Sequence, residues 1–190
     1  MSETVVKGKK VYLRSPSVED EQESLTLNIE SSLFHRGLAS PPRTGSEFRL
    51  LLERCESVSS ACFFICRNDD DRIVGSVNLS QIFMGGFRSA YLGYYIGSRY
   101  SNQGYMTEAV ELILKYAFRE LKLNRVEANI QPGNGPSISL VRRAGFTQEG
   151  FSRKYLKIDG RWRDHERWAI LAEDWAANKR CKKVEDSDRF

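Results

Sequence analysis

Polar and apolar residues alternate through Lys10-Val11-Tyr12-Leu13-Arg14, the period of a strand with one face turned inward. Ser17 then stands where a helix cap would, with Glu19, Asp20 and Glu21 in the first turn, and Leu25, Ile29 and Leu33 continue at helical spacing. Gly37 to Gly45, which contains Pro41-Pro42, predicts a loop. A second helix begins at Ser46 and gathers Phe48, Leu51, Leu52 and Cys55 on one face. The period then shortens. Ala61 to Cys66, Arg72 to Leu79 and Ser89 to Ile96 predict an antiparallel meander, punctuated by Asn68-Asp69-Asp70-Asp71 and by Gly85-Gly86.

From Gly104 to Leu121 the period lengthens to that of a helix. Met106, Ala109, Val110, Ile113, Ala117 and Leu121 form an apolar stripe, opposite Glu108, Glu111, Lys115, Arg119 and Lys122. Val126 to Ile130 predicts a strand, and Pro136 to Ala144 a short helix with proline at its first position and Gly145 at its C-terminal cap. Two further strands, Phe146 to Ile158 and Trp162 to Leu171, meet at Asp159-Gly160, a strong hairpin signal. The order is mixed α and β, with antiparallel strands first and a strand–helix–strand crossover later. No internal repeat is present. The folded unit is expected over residues 9–176 as one domain, between a flexible N-terminus (1–8) and a disordered tail (177–190).

Composition narrows the picture only where it excludes something. A chain of 190 residues suits one domain. Its net charge of +4 is spread among many acids, short of the one-sided basic patch that nucleic-acid binding needs. The basic run Lys179-Arg180-Cys181-Lys182-Lys183 is followed at once by Glu185, Asp186 and Asp188. No stretch approaches the roughly 18 unbroken apolar residues of a membrane span, and the N-terminus lacks the apolar core of a secretory signal. A cytoplasmic location with no membrane partner is therefore expected. Cys55, Cys62, Cys66 and Cys181 form no Cys-x-x-Cys pair, and only His35 and His165 could join them, so no metal site is expected. Reduced thiols are the reading, with Cys62 and Cys66 on one side of a strand as small core residues.

The chemistry points to the segment from Tyr94 to Thr107, where a strand runs through a polar turn straight into a helix. Free backbone N–H groups at a helix start bind phosphate without a special side chain. Gly104 allows close approach to the main chain, and Asn102 tolerates a left-handed backbone. About thirty residues on, Asn134-Gly135-Pro136-Ser137 occupies the next strand–helix junction. If strands 89–96 and 126–130 are neighbours, both helix starts share one sheet edge, and a cofactor fits between them. Asn134 and Ser137 at this spacing also fit an ordinary helix cap.

These residues make the chain resemble the GNAT-superfamily N-acetyltransferases, within them the RimJ/RimL type that acetylates N-termini of ribosomal proteins. The cofactor motif is matched by Arg99-Tyr100-Ser101-Asn102-Gln103-Gly104, with Asn102 in place of its first glycine. The flanking helix start appears as Gly104-Tyr105-Met106-Thr107-Glu108-Ala109. The Asn-x-x-Ser…Gly-Phe pattern appears as Asn134-Gly135-Pro136-Ser137 and Gly145-Phe146, and the RimJ-type run as Asp159-Gly160-Arg161-Trp162-Arg163-Asp164-His165. The likeness covers residues 89–172 closely and 9–88 in outline.

The resemblance implies an α/β GNAT fold: a mixed, mostly antiparallel, splayed sheet of about seven strands flanked by about four helices. It implies an N-acetyltransferase using acetyl-CoA as cosubstrate, with the pantetheine arm against the main chain of Tyr95, Ile96 and Gly97. The pyrophosphate would rest on Ser101, Asn102, Gln103, Gly104, Tyr105 and Met106, with Arg99 opening the motif. Asn134 would hold the cofactor arm, and Ser137 would protonate the departing thiolate. A backbone N–H near Tyr95 or Ile96 would meet the oxyanion. The base stays open between Glu127, His165 and a water chain. The acceptor implied is a protein N-terminal α-amine, with small amines (polyamines, amino-acid derivatives, aminoglycosides) and a non-catalytic CoA-binding module as alternatives. The turn from Phe83 to Phe87 reads as a plain hairpin in preference to an acceptor mouth or a homodimer seam.

Overall fold

The computed structural model describes residues 4–178. Its eight strands are β1 (Thr4–Lys7), β2 (Val11–Arg14), β3 (Ala61–Arg67), β4 (Ile73–Phe83), β5 (Ser89–Ile96), β6 (Arg125–Ile130), β7 (Thr147–Ile158) and β8 (Arg161–Leu171). The helices are α1 (Glu21–Glu30), α2 (Ser32–His35), α3 (Gly45–Cys55), α4 (Tyr105–Arg119) and α5 (Gly135–Ala144). A further helical stretch covers 172–178. One sheet runs in the order β1-β2-β3-β4-β5-β6-β8-β7. Every neighbouring pair is antiparallel except β5 and β6.

The sheet is covered on both faces at its centre, and β3 shows why its sequence is apolar without a break. Consecutive side chains of a strand point to opposite faces. Phe63 meets Tyr116 of α4 edge-on, while its neighbour Phe64 stacks on Phe48 of α3. Residues 63–66 are accordingly all buried. The α4 stripe is core as its spacing predicts: Ala109, Val110, Ile113 and Ala117 are fully buried. Trp175 packs on Phe118 from the helical stretch beyond β8.

Three expectations need correction. Residues 1–8 are not wholly a flexible end, because Thr4–Lys7 pairs with β2 as an eighth strand. Glu108 of α4 secures that turn by accepting the backbone N–H groups of Lys9 and Lys10. The first helix does not run unbroken to Leu33: it stops at Ser31, whose hydroxyl accepts the Ser98 N–H at 2.9 Å. The third helix of the sequence reading ends at Arg119 rather than Leu121. Residues 179–190, including Cys181 and the basic run, lie outside the described residues. The Asp159-Gly160 turn has φ +48° and +76°, the double left-handed geometry that favours such a pair in a hairpin. Among the described residues no three His, Cys, Asp or Glu side chains gather as metal ligands, and no helix is long and apolar enough to cross a membrane.

Candidate active site

The site begins where β5 and β6 part. Their parallel pairing is limited to Ser89–Tyr91 against Arg125–Glu127, so the segments Tyr94–Ile96 and Ala128–Ile130 diverge. On its other side β5 stays paired with β4 as far as Gly75 opposite Ile96. One edge of β5 is thus left open toward a gap, the splay that the resemblance implies.

Two left-handed residues shape the turn that follows. Asn102 has φ +58° and Gly104 φ +84°. Asparagine is among the few side chains that adopt this conformation at low cost, which explains how it replaces glycine there. Gly104 is the N-cap of α4 and makes no side-chain cap bond, so the first N–H groups of the helix are left for a ligand. A Cβ at Gly104 would lie 3.6 Å from Lys10 Nζ, which donates to the Gln103 carbonyl at 3.2 Å. A cation from the β1–β2 turn therefore stands beside the helix start, an electrostatic fit for a pyrophosphate.

A cleft of about 530 Å³ joins this turn to the gap, and Tyr95, Ile96, Ser101, Asn102, Gly104 and Met106 help line it. Tyr105 lines it as well, as do Asn134 and Ser137 from the start of α5. Arg99 and Gln103 depart from expectation. The Arg99 guanidinium faces Glu30 at 3.4 Å and covers the Tyr100 ring, and the Gln103 amide donates back to the Arg99 carbonyl at 2.8 Å. Neither side chain lines the cleft; only the main chain of this part of the turn is available to it.

At the inner end, Ser137 Oγ lies 2.5 Å from the Tyr94 hydroxyl. Burial pushes the Tyr94 phenol up to about 12, so it holds its proton at neutral pH. Asn134 Oδ1 accepts the Ser137 N–H at 3.3 Å, the cap geometry, which leaves its Nδ2 free of bonds to the described residues. Above the open edge, buried His35 pairs through Nε2 with the Ile96 carbonyl at 2.8 Å. That carbonyl, assigned to the cofactor arm from sequence, already has one partner.

A second cavity, of about 350 Å³, adjoins the first and shares Tyr94, Tyr95, Asn134 and Ser137 with it. Polar side chains of Asn78, Asn129 and Gln131 line it, together with Arg54 and His165, and no Asp or Glu does so among the described residues. Asn129 Oδ1 is buried there without a hydrogen-bond partner. His165 is only 2% exposed: although it follows a charged hairpin, the alternation of β8 turns it inward. Glu127 is held by Arg125 at 2.8 Å, and Arg125 also grips Glu149. It belongs to an ion cluster where the strands are still paired, away from both cavities.

Residues 10–147 match a family model described as the acetyltransferase (GNAT) domain. The chain belongs to the GNAT acetyltransferases, enzymes that carry an acetyl group from acetyl-CoA to an amine nitrogen. The probable N-acetyltransferase YjcK of Bacillus subtilis is 38% identical over 178 residues, covering 90% of this chain and 98% of that protein. The ribosomal protein uS5-alanine N-acetyltransferase of Escherichia coli K12 is 39% identical over 111 residues, covering 58% of this chain and 57% of that protein. Among solved structures, Mycobacterium smegmatis RimJ in complex with CoA-disulfide superposes with a TM-score of 0.80 at 27% identity, over 86% of this chain and 82% of that one. Vibrio cholerae spermidine N-acetyltransferase in complex with CoA and spermine shares the fold, with a TM-score of 0.76 at 21% identity over 88% and 98% of the two chains.

Proposed function

We propose that this enzyme acetylates the α-amine of a protein or peptide N-terminus, with residues 9–176 as the catalytic unit. The observation that carries the reading is the meeting of two cavities at Tyr94, Asn134 and Ser137, one shaped for a phosphate-bearing donor and the other free of carboxylates. A polyamine brings several positive charges and would need acids to replace its hydration. The acceptor cavity offers it Arg54 instead. A peptide N-terminus brings one charge and several amide groups, which suit Asn78, Asn129 and Gln131. The likeness to a ribosomal-protein alanine acetyltransferase supports the same choice.

Acetyl-CoA supplies the activated acetyl group, and the chain's residues position it. The Ser101 N–H is taken by the Ser98 carbonyl, so main-chain N–H groups of Asn102 to Met106 hold the pyrophosphate, helped by the Lys10 ammonium, while the open edge at Tyr95 and Ile96 pairs with the pantetheine amides as an added strand would. Asn134 steadies that arm through Nδ2. Ser137 protonates the departing sulfur, and Tyr94 stands behind it as the second hydroxyl of a relay. A backbone N–H of the open β5 segment meets the oxyanion.

The test is calorimetric titration with acetyl-CoA, then thiol release with peptides of varied first residue and with spermidine. Saturable binding and preferential turnover of peptides are expected. Faster turnover of spermidine would sink the acceptor assignment.

A further inference from the structure

Resting on the acetyltransferase reading, we propose that His165 is the general base, removing a proton from the acceptor amine in the second cavity. The case is one of geometry. His165 Nδ1 lies 3.0 Å from the Arg163 carbonyl. A carbonyl can only accept, so Nδ1 carries the proton and Nε2 keeps its lone pair. Nε2 has no partner among the described residues, and the ring lines the acceptor cavity that Asn134, Ser137 and Tyr94 also line. Tyr155 of β7 meets the ring edge-on at 5.8 Å between centroids and holds it upright.

The surroundings keep this imidazole neutral. Asp164 and Glu166 flank it on its own strand, with Arg163 and Arg167 one position further out, and Tyr155 covers it from β7. Arg54, Cys62, Tyr94 and Tyr95 are the titratable groups across the cavity. The two neighbouring carboxylates are both engaged, Asp164 by the Lys154 N–H at 2.7 Å and Glu166 by the Trp168 indole N–H at 3.0 Å. Burial outweighs the Arg163 carbonyl bond and the Asp164 charge, both of which favour the imidazolium, and lowers the His165 pKa from the ordinary histidine value. A base that is neutral at pH 7 is the state the step requires.

The other candidates lack one of these properties. His35 offers an unpartnered Nδ1, but that atom is buried, its Nε2 is tied to the Ile96 carbonyl, and the residue lines the cofactor cleft rather than the acceptor cavity. Glu127 is committed to Arg125. Proton accounting closes around His165: two protons leave the ammonium nitrogen as its amide bond forms and the carbon–sulfur bond breaks. One ends on sulfur through the Ser137 and Tyr94 hydroxyls, and the other leaves on Nε2 for water.

The test uses His165→Gln, whose side-chain amide can still donate to the Arg163 carbonyl while losing basicity. Acetyl-CoA affinity should be unchanged. Turnover of a peptide acceptor at pH 7 should fall ~10²-fold. The acid limb of the wild-type rate profile, where activity is lost as pH falls through the lowered His165 pKa, should give way to a rate that climbs steadily with the free amine fraction. Turnover within about threefold of wild type, with the acid limb intact, would overturn the assignment while leaving the acetyltransferase reading standing. If wild type binds acetyl-CoA yet acetylates no amine, both fall together. Imidazole ¹⁵N spectra of wild type add a reading that needs no variant. A bare Nε2 at pH 7 supports the base, and a proton on Nε2 at that pH excludes it.

Discussion

Ser137 and Tyr94 carry the sharpest expectation at the scale of single residues. Ser137→Ala should slow turnover by ~10²-fold while leaving acetyl-CoA affinity nearly intact, as a lost proton donor does. Calorimetry and thiol release on the same sample check both halves, and turnover within about twofold would reduce Ser137 to a helix residue. Gly104 makes the complementary prediction. Its φ of +84° strains any side chain, and a Cβ would project toward Lys10. Gly104→Val should cost ~1–2 kcal/mol of stability and abolish acetyl-CoA binding, read by thermal denaturation and calorimetry. Of these residues, Gly104, Asn102 and Ser137 were legible in the sequence in their placement, because a left-handed turn and a helix start are local features. Tyr94, Lys10, His35 and Arg54 were not. Tyr94 meets Ser137 across 43 positions, and Lys10 meets Gln103 across 93. No local pattern marks such pairs.

At the scale of elements, the 3-10 turn after β2 is pinned by a bidentate pair. Arg14 donates to both Asp20 oxygens at 2.7 and 2.6 Å, and Ser17 N–H adds a bond of 2.8 Å. Burial raises the Asp20 carboxyl, but Arg14 and the Ser17 N–H outweigh it, and its pKa lies below the ordinary value. A group depressed in the folded state stabilises above its unfolded pKa of about 3.9 and loses that contribution as pH falls through the folded pKa. Asp20→Ala should therefore lower stability at pH 7, by about 3 kcal/mol for a broken buried pair. It should also flatten the acid side of the stability profile, as denaturant melts between pH 2 and 7 would show. The sequence placed a cap at Ser17, where the structure starts a 3-10 turn, while Asp20 stands at the N-cap of α1 itself. It did not predict the break at Ser31, because that break answers Ser98, 67 positions away.

Across the whole molecule, the splay between β5 and β6 leaves an open edge and a gap where a continuous sheet would have none. A donor filling that gap binds the folded state alone. Acetyl-CoA at a hundred times its dissociation constant should add ~2.7 kcal/mol and raise the melting temperature, with coenzyme A close behind. Differential scanning calorimetry with and without the ligand tests it. No rise would mean that the cleft does not bind the donor.

The sequence by itself determined what short-range physics controls: the period of the strands from β2 onward and of the α3, α4 and α5 helices, the Asp159-Gly160 hairpin, and the left-handed turn that opens α4. Repeating side-chain patterns and backbone preferences act over a few residues, and they need no partner from elsewhere. Tertiary structure alone decided the strand order, with β8 inserted between β6 and β7, and the point at which β5 leaves β6. It alone brought Arg54 and His165 to one cavity and held Glu127 away from it. Those outcomes follow from which faces are buried against which, and burial is a property of the assembled layers.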